Sequence, residues 1–397
     1  MQKRIACLDL DAFFVEAALL RNPELKGTPV AVGGLSNRSI ICSASYEARK
    51  FGVGSAMPVW MAKNRCPNLK LLPVPDNISK LSNEVYELLT VFCPVVEKAS
   101  VDEFYLDFTG CDRIYRHNLD VAEQISTSIR QKLKLPATIG IGTNKLVAKI
   151  ASNMGKPSGI LEILPGSEGA FLSHLPIKEI PGIGKKMEPA LNSMGIYYVS
   201  DILTLPLEAW RVAFGKTGEY IFNAARGICE NKVIPNDQKP VRKGISRETT
   251  LCEDSSSRAY LTCHLSHLLE KAVYQLQSEH LTCASVSVKI RYSDFVTRTK
   301  SMIINRTNNE NEIFPAVVKL FSQLFQRRVK VRLIGIHLGS IQPGSSTPDL
   351  WDILQPELKK NLPEVINIIR AKYGFKAILR SRSVTGFFTK SSYEQTK

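Results

Sequence analysis

The sequence predicts an α+β protein of several domains, ending in a β-rich and basic domain. Three observations carry that reading. Over residues 1–164 short β runs mix with helical runs without a strict βαβ rhythm, which argues for a sheet with one face covered. Residues 166–234 are almost wholly helical, in short pieces. Beyond a polar linker, strands with a period of two return. At 397 residues the chain reaches the upper end of what one core supports, so about two to four domains are expected.

The elements follow in order. Ile5–Leu10 reads as a buried strand, and a helix is expected at once from Asp11 to Arg21. Val30–Gly33 and Ser39–Ser43 are further short strands. Ile78, Leu81, Val85, Leu88 and Leu89 fall at helical spacing and predict a helix over Asn77–Phe92. Val95–Phe108 reads as two strands around a turn near Ala99-Ser100. Asp120–Leu133 is predicted helical, Thr138–Gly142 a strand ending in glycine, Asn144–Met154 a helix and Gly159–Leu164 a closing strand. From Pro165-Gly166 the character changes, and Pro176, Pro181, Gly195, Pro206 and Gly215 cut the helical region into pieces. The polar run from Pro235 to Pro240 offers few contacts to a core and reads as a linker.

After the linker come a strand over Arg242–Leu251, a helix over Arg258–Ser278 and a hairpin over Ala284–Ile304. A helix over Ile313–Phe325 and a strand over Arg332–Ser340 complete the domain. In the hairpin Val286, Val288, Ile290 and Tyr292 share one face, while Lys289 and Arg291 share the other. That describes a sheet apolar inside and basic outside, although a merely solvated face accounts for the hairpin equally well. Residues 343–397 read as a tail with one helix, Leu362–Tyr373.

Lysine and arginine number 52 against 37 acidic residues, a formal charge of +15. The excess favours a polyanionic partner, either nucleic acid or an acidic membrane surface. Residues 240–342 hold 15 basic side chains against 8 acidic, so the charge concentrates in the β-rich domain. No apolar run approaches the roughly 20 residues of a membrane span, and the N-terminus is no signal peptide. Nine cysteines without a Cys-x-x-Cys pair read as small core residues of a reducing cytoplasm. Secreted, membrane-spanning, collagenous and zinc-finger classes are excluded.

Two segments carry paired carboxylates at strand ends: Asp9-Leu10-Asp11-Ala12-Phe13-Phe14, and Val101-Asp102-Glu103-Phe104-Tyr105-Leu106-Asp107. Such groups are costly to bury unpaired and call for a cation, and oxygen ligands without His or Cys favour magnesium. If the strands are neighbours, Asp9, Asp102 and Glu103 converge on one or two ions, a site suited to phosphoryl or nucleotidyl transfer. The alternative is that Asp11 caps the following helix while Asp102 and Glu103 sit in a turn. Tyr46 and Arg49, at i and i+3 of one short helix, are donors for phosphate oxygens, and Lys156 stands on a stiff Gly-Lys-Pro-Ser-Gly turn. Ile180-Pro181-Gly182-Ile183-Gly184-Lys185-Lys186 forms a glycine turn between two short helices. There the second helix's free N–H groups and Lys185 can take a DNA phosphate; an ordinary interhelix turn is the alternative.

Together and in this order, these segments resemble the Y-family DNA polymerases, in their DNA polymerase IV (kappa-like) branch. The match rests on Asp9 to Phe14, Asn22-Pro23-Glu24-Leu25-Lys26-Gly27, Ser45 to Val53, Ser55-Ala56-Met57-Pro58, Ser100-Val101-Asp102-Glu103, Lys156-Pro157-Ser158-Gly159 and Ile180 to Gly184. It runs from about residue 3 to about residue 340. The resemblance implies a right-hand polymerase: palm over 1–11 and 75–164, fingers over 12–74, and a helical thumb over 165–234. A linker over 235–243, a little finger over 244–342 and a tail over 343–397 follow. It implies two magnesium ions on Asp9, Asp102 and Glu103, helped by the Leu10 carbonyl. It assigns the triphosphate to Tyr46, Arg49 and Lys156, and a steric gate against ribose to Phe14. Gly182, Gly184 and Lys185 would track the duplex backbone. The implied partners are primer-template DNA and deoxynucleoside triphosphates, with no membrane. The implied activity is translesion synthesis at low fidelity, without proofreading, by a monomer. Two departures stand out: Val15-Glu16-Ala17-Ala18 replaces a common Ser-Val-Glu run, and the tail lacks a clean sliding-clamp motif. Its nearest candidate for the clamp is Asp349-Leu350-Trp351-Asp352-Ile353-Leu354, for which a capping element is the alternative. Two rivals remain, a non-catalytic DNA-binding paralogue and a palm-domain nucleotide cyclase.

Overall fold

A computed structural model describes residues 3–36, 38–111, 113–344 and 358–384, in two units, Met1–Lys239 and Pro240–Lys397.

The first unit is built on a five-stranded sheet of order β5-β6-β1-β7-β8, with β1 (Ile5–Leu10) at its centre. Between β1 and the rest of that sheet come α1 (Phe13–Leu19), β2 (Val30–Gly33), β3 (Ile41–Ala44), α2 (Tyr46–Arg49), α3 (Val59–Arg65), β4 (Lys70–Leu72) and α4 (Ile78–Phe92). Strands β2, β3 and β4 form a separate small sheet around Ile41, Ala48, Val59 and Ala62. Then follow β5 (Val96–Lys98), β6 (Glu103–Asp107), α5 (Asn118–Leu133), β7 (Ala137–Gly142), α6 (Lys145–Met154) and β8 (Ile160–Glu162). Every position of β1 is buried, and its two faces have different neighbours. Ala6, Leu8 and Leu10 pack against α4 and α5, while Ile5 and Cys7 pack beside Ala148 of α6.

The expectation of one covered face is therefore corrected. Helix α6 covers part of the second, and it can do so because Gly140 and Gly142 leave room: a Cβ on Gly140 would stand 2.1 Å from the Ser152 nitrogen. The first helix also begins later than Asp11. Ala12 adopts a left-handed backbone (φ 44°), so the chain turns before Phe13.

Residues 165–234 form α7 (Glu168–Ser173), α8 (Met187–Ser193), α9 (Val199–Ile202) and α10 (Leu207–Ala225), packed around Trp210 and broken at Gly215. The run from Pro235 is not contact-free. Asn236 Oδ1 accepts a hydrogen bond from the Lys98 N–H (3.3 Å), so the edge strand β5 holds its N-terminal half.

In the second unit a sheet of order β11-β10-β12-β9 is covered on one face by α11 (Arg258–Ser278) and α12 (Glu310–Leu324). Its strands are β9 (Gly244–Ser255), β10 (Leu281–Tyr292), β11 (Thr297–Thr307) and β12 (Val331–Gly339), with β13 (Gln342–Pro343) added to β10. Val286, Val288, Ile290 and Tyr292 are wholly buried beneath the helices. Two further helices follow, α13 (Leu358–Tyr373) and α14 (Ser381–Val384), the first longer than its periodicity suggested. The clamp candidate at 349–354 lies outside the described residues. Cys42 and Cys252 are exposed, which corrects their reading as core residues. Among the described residues no helix is long and apolar enough to cross a membrane.

Candidate active site

The alternation along β1 that sends Ala6, Leu8 and Leu10 to one face sends Cys7 and Asp9 to the other. Asp9 lies opposite Glu103 on β6 and Thr138 on β7. Above them lies α6, an apolar helix interrupted by Lys149. The Lys149 Nζ donates to Asp9 Oδ2 (2.9 Å) and to Glu103 Oε2, bridging the two carboxylates. Lys156 Nζ meets the other Asp9 oxygen at 2.6 Å. Tyr105 donates its hydroxyl proton to Glu103 Oε1 (2.7 Å). Burial opposes the charge on Lys149, but the Asp9 and Glu103 carboxylates outweigh it and hold the ammonium above the usual lysine range. Beneath them burial pushes the Cys7 thiol up to about 12, so it stays neutral.

Asp102 occupies the turn just before β6, where its carboxylate is held by the Ser100 hydroxyl. That hydroxyl also accepts from the Asp102 and Glu103 amides, and the Leu10 N–H donates to the Asp102 carbonyl (2.9 Å). Asp9, Asp102 and Glu103 thus share one sheet edge. Among the described residues, however, no three acid, imidazole or thiol groups already form a cage for an ion. Lysines hold Asp9 and Glu103, and a serine holds Asp102.

Asp11 corrects the reading that made it a helix cap. Only 1% exposed, it makes no capping bond. It accepts instead from the Thr138 hydroxyl (2.9 Å), the Ser158 N–H (2.8 Å) and the Tyr46 hydroxyl (3.3 Å). One buried carboxylate therefore ties β7, the Lys156 turn and α2 to the end of β1. Burial, then the Asp11 charge, pushes the Tyr46 phenol up to about 12, so it remains a proton donor. The Arg49 guanidinium lies 4.7 Å from the Tyr46 ring centre, with its Nε bonded to the Ala44 carbonyl. Ser45, whose side chain accepts from the Ala48 N–H, caps the short helix that carries both. Phe13 belongs to the core, while Phe14 is half-buried against the clusters on either side of α1.

The glycine turn packs on the same helix: Ile180 and Ile183 share a core with Leu146 and Ile150 of α6. Gly182 has φ 101°, and a Cβ there would meet the Tyr220 ring at 3.2 Å. One expectation needs correction. The first two amides of α8, Met187 and Glu188, already bond the Gly184 carbonyl, so the offer to a phosphate falls to the turn's backbone and Lys185. In the second unit Lys289 pairs with Glu248 (2.8 Å) and Arg291 bonds Thr297, on the outer face of the sheet.

Lys149 and Thr138 were given no site role by the sequence, Asp11 only that of a possible cap, and Ser100 and Ser158 stood there only as parts of motifs. For Lys149 a signal existed: a lysine inside Leu146-Val147-Ala148-Lys149-Ile150-Ala151 cannot be on a purely packing helix.

Family models described as the impB/mucB/samB family, its C-terminal domain and its HHH motif match residues 8–153, 242–349 and 165–196. The chain is 34% identical over 383 residues to DNA polymerase IV of Desulfatibacillum aliphaticivorans, covering 95% of this chain and 96% of that one. The chain belongs to the impB/mucB/samB family, the Y-family DNA polymerases. Its fold agrees. A solved Y-family DNA polymerase chimera of Dbh and Dpo4 matches with a TM-score of 0.76 at 27% identity, over 86% of this chain and 100% of that one. An insertion ternary complex of Dbh DNA polymerase matches at 0.60 and 26% identity, with the same coverage. The protein is a DNA-directed DNA polymerase of the translesion type, as its motifs implied, and the paralogue and cyclase readings fall away.

Proposed function

We propose that this polymerase adds deoxynucleotides to a primer 3′-hydroxyl at the end of β1, with two magnesium ions held by Asp9, Asp102 and Glu103 and assisted by the Leu10 carbonyl. The observation that carries the reading is the pairing of Asp9 with Glu103 beneath two ammonium groups. Carboxylates crowded at one strand end demand positive charge, and Lys149 and Lys156 answer that demand here. An all-oxygen donor set with no histidine, beside a thiol kept neutral, suits magnesium. Bound there, the ions supply charge neutralisation for the attacking and leaving oxygens.

The chain's own residues position the reactants. Tyr46 and Arg49 donate to the triphosphate, and Lys156 turns from Asp9 to join them. The Phe14 ring lies against the sugar and leaves no room for a 2′-hydroxyl. Gly182, Gly184 and Lys185 let the duplex backbone approach, and the basic outer face of the C-terminal sheet adds non-specific grip. In these terms residues 1–11 and 75–164 are palm, 12–74 fingers, 165–234 thumb and 244–342 little finger. Synthesis past damaged bases, at low fidelity and without proofreading, by a cytoplasmic monomer, belongs to the same reading.

Primer extension on a lesion-bearing template, with magnesium and with the metal chelated, tests it. Template-directed products only with magnesium are expected. Undiminished extension after chelation, or none under any divalent ion, overturns it.

A further inference from the structure

Helix α11 covers the C-terminal sheet with one apolar stripe that includes Leu265, Leu269, Ala272 and Leu276. The opposite stripe of such a helix ordinarily faces water. Here Ser266, His267 and Glu270 on that stripe are 0%, 5% and 1% exposed. What encloses them is the chain's own segment from α13 to α14.

Buried carboxylates are tolerated only when paired and fully hydrogen-bonded. Glu270 receives Arg370 Nη2 (3.1 Å) on one oxygen, and the Ser383 hydroxyl (2.8 Å) and Arg380 N–H (3.1 Å) on the other. Glu310, at the start of α12, receives Arg380 Nε (2.8 Å) and the Arg382 guanidinium. Arg382 also donates to Ser266 Oγ (3.0 Å) and lies 4.0 Å over the Phe314 ring, while Arg370 lies 4.3 Å over Phe375. Arginine suits this role because its planar fork keeps several fixed donors and stacks on rings while buried.

We propose that the α11–α12 face is an acidic docking surface whose occupant is the chain's own segment 364–384, read by Glu270 and Glu310. Docking there buries Arg370, and it ties Arg380 and Arg382, still 41% and 31% exposed, to Glu310, which reduces what the three offer to nucleic acid. The docking stands independently of the catalytic reading; the withholding rests on this chain's gripping DNA. Three of the nine basic side chains of residues 343–397 are therefore engaged within the protein.

Hydrogen exchange of the full chain tests the docking. Amides of residues 366–383 should be protected, and Glu270→Gln with Glu310→Gln should cut that protection at least about tenfold while β10 keeps its own. Wild-type exchange of the segment in that variant overturns the proposal. If β10 also loses protection, Arg380→Gln with Arg382→Gln decides from the tail's side: faster tail exchange supports docking, and unchanged exchange overturns it. Binding of a primed duplex across a salt titration reads the second claim. The double glutamate variant should steepen the logarithmic salt slope by up to about 0.9 for each released arginine. An unchanged slope with a released tail overturns the withholding and leaves the docking in place.

Discussion

Both units gather carboxylates around cations, and they do it differently. In the first, Asp9 and Glu103 are held by Lys149 and Lys156, with side chains 11% to 27% exposed. In the second, Glu270 and Arg370 are 0% and 7% exposed, and each carboxylate oxygen there has a fixed donor. Lysine is a mobile point charge that another cation or a phosphate can displace, whereas arginine is a fork locked by geometry. An open lysine-held cluster suits a site that exchanges ions and substrate. An enclosed arginine-held pair such as Glu270 with Arg370 suits a joint.

If that contrast is sound, damage to the two clusters separates activity from stability. Asp9→Ala should lower primer extension by about a thousandfold or more, with the unfolding midpoint near wild type. A matching loss of midpoint would merge the two classes and break the comparison. Glu270→Ala should do the reverse. Leaving Arg370 buried without its partner should destabilise the second unit by about 3–5 kcal/mol, read by denaturant unfolding. Extension measured well below the midpoint should stay within a few-fold of wild type.

Acid sharpens the contrast further. Burial, helped by Lys271, His264, Lys376 and Arg370, pushes His267 down to about 4, below the 6.5 of an unburied imidazole. Glu270 also faces this stripe, and burial holds its carboxyl above the usual range. Between those two values the unfolded chain binds a proton at His267 that the folded chain refuses. Stability therefore falls as pH drops from 6.5 towards 4, by at most about 1.4 kcal/mol per unit. His267→Gln should flatten that part of the profile, read as midpoints at each pH. An unchanged slope would place the acid sensitivity elsewhere.

The smallest expected effect concerns Phe14, which packs between two apolar clusters and holds no charge. Phe14→Ala should raise the ribonucleotide share of single-nucleotide insertion on the order of tenfold while deoxynucleotide addition persists. A large loss of both would mark the ring as packing.

The carboxylate strands, the short helix of Tyr46 and Arg49, and the apolar face of β10 were legible because each is a local pattern of period, cap or charge. So was the five-residue spacing between Asp9 and Phe14. What was not legible depends on the third dimension. Asp11 looks like a cap in one dimension, and only the register of β7 and the Lys156 turn supply its real donors. The second covered face of the sheet depends on Gly140, whose meaning appears only when α6 lies against it. The tail read as an appendage because Glu270 and Arg380 are more than a hundred residues apart.

The central claim is that the carboxylates beneath Lys149 and Lys156 perform nucleotidyl transfer with magnesium. The most direct measurement is single-nucleotide insertion by Glu103→Ala across a magnesium titration, alongside binding of the same primed template. No insertion at any magnesium concentration, with template affinity near wild type, is the predicted result. Insertion at the wild-type rate would contradict the claim.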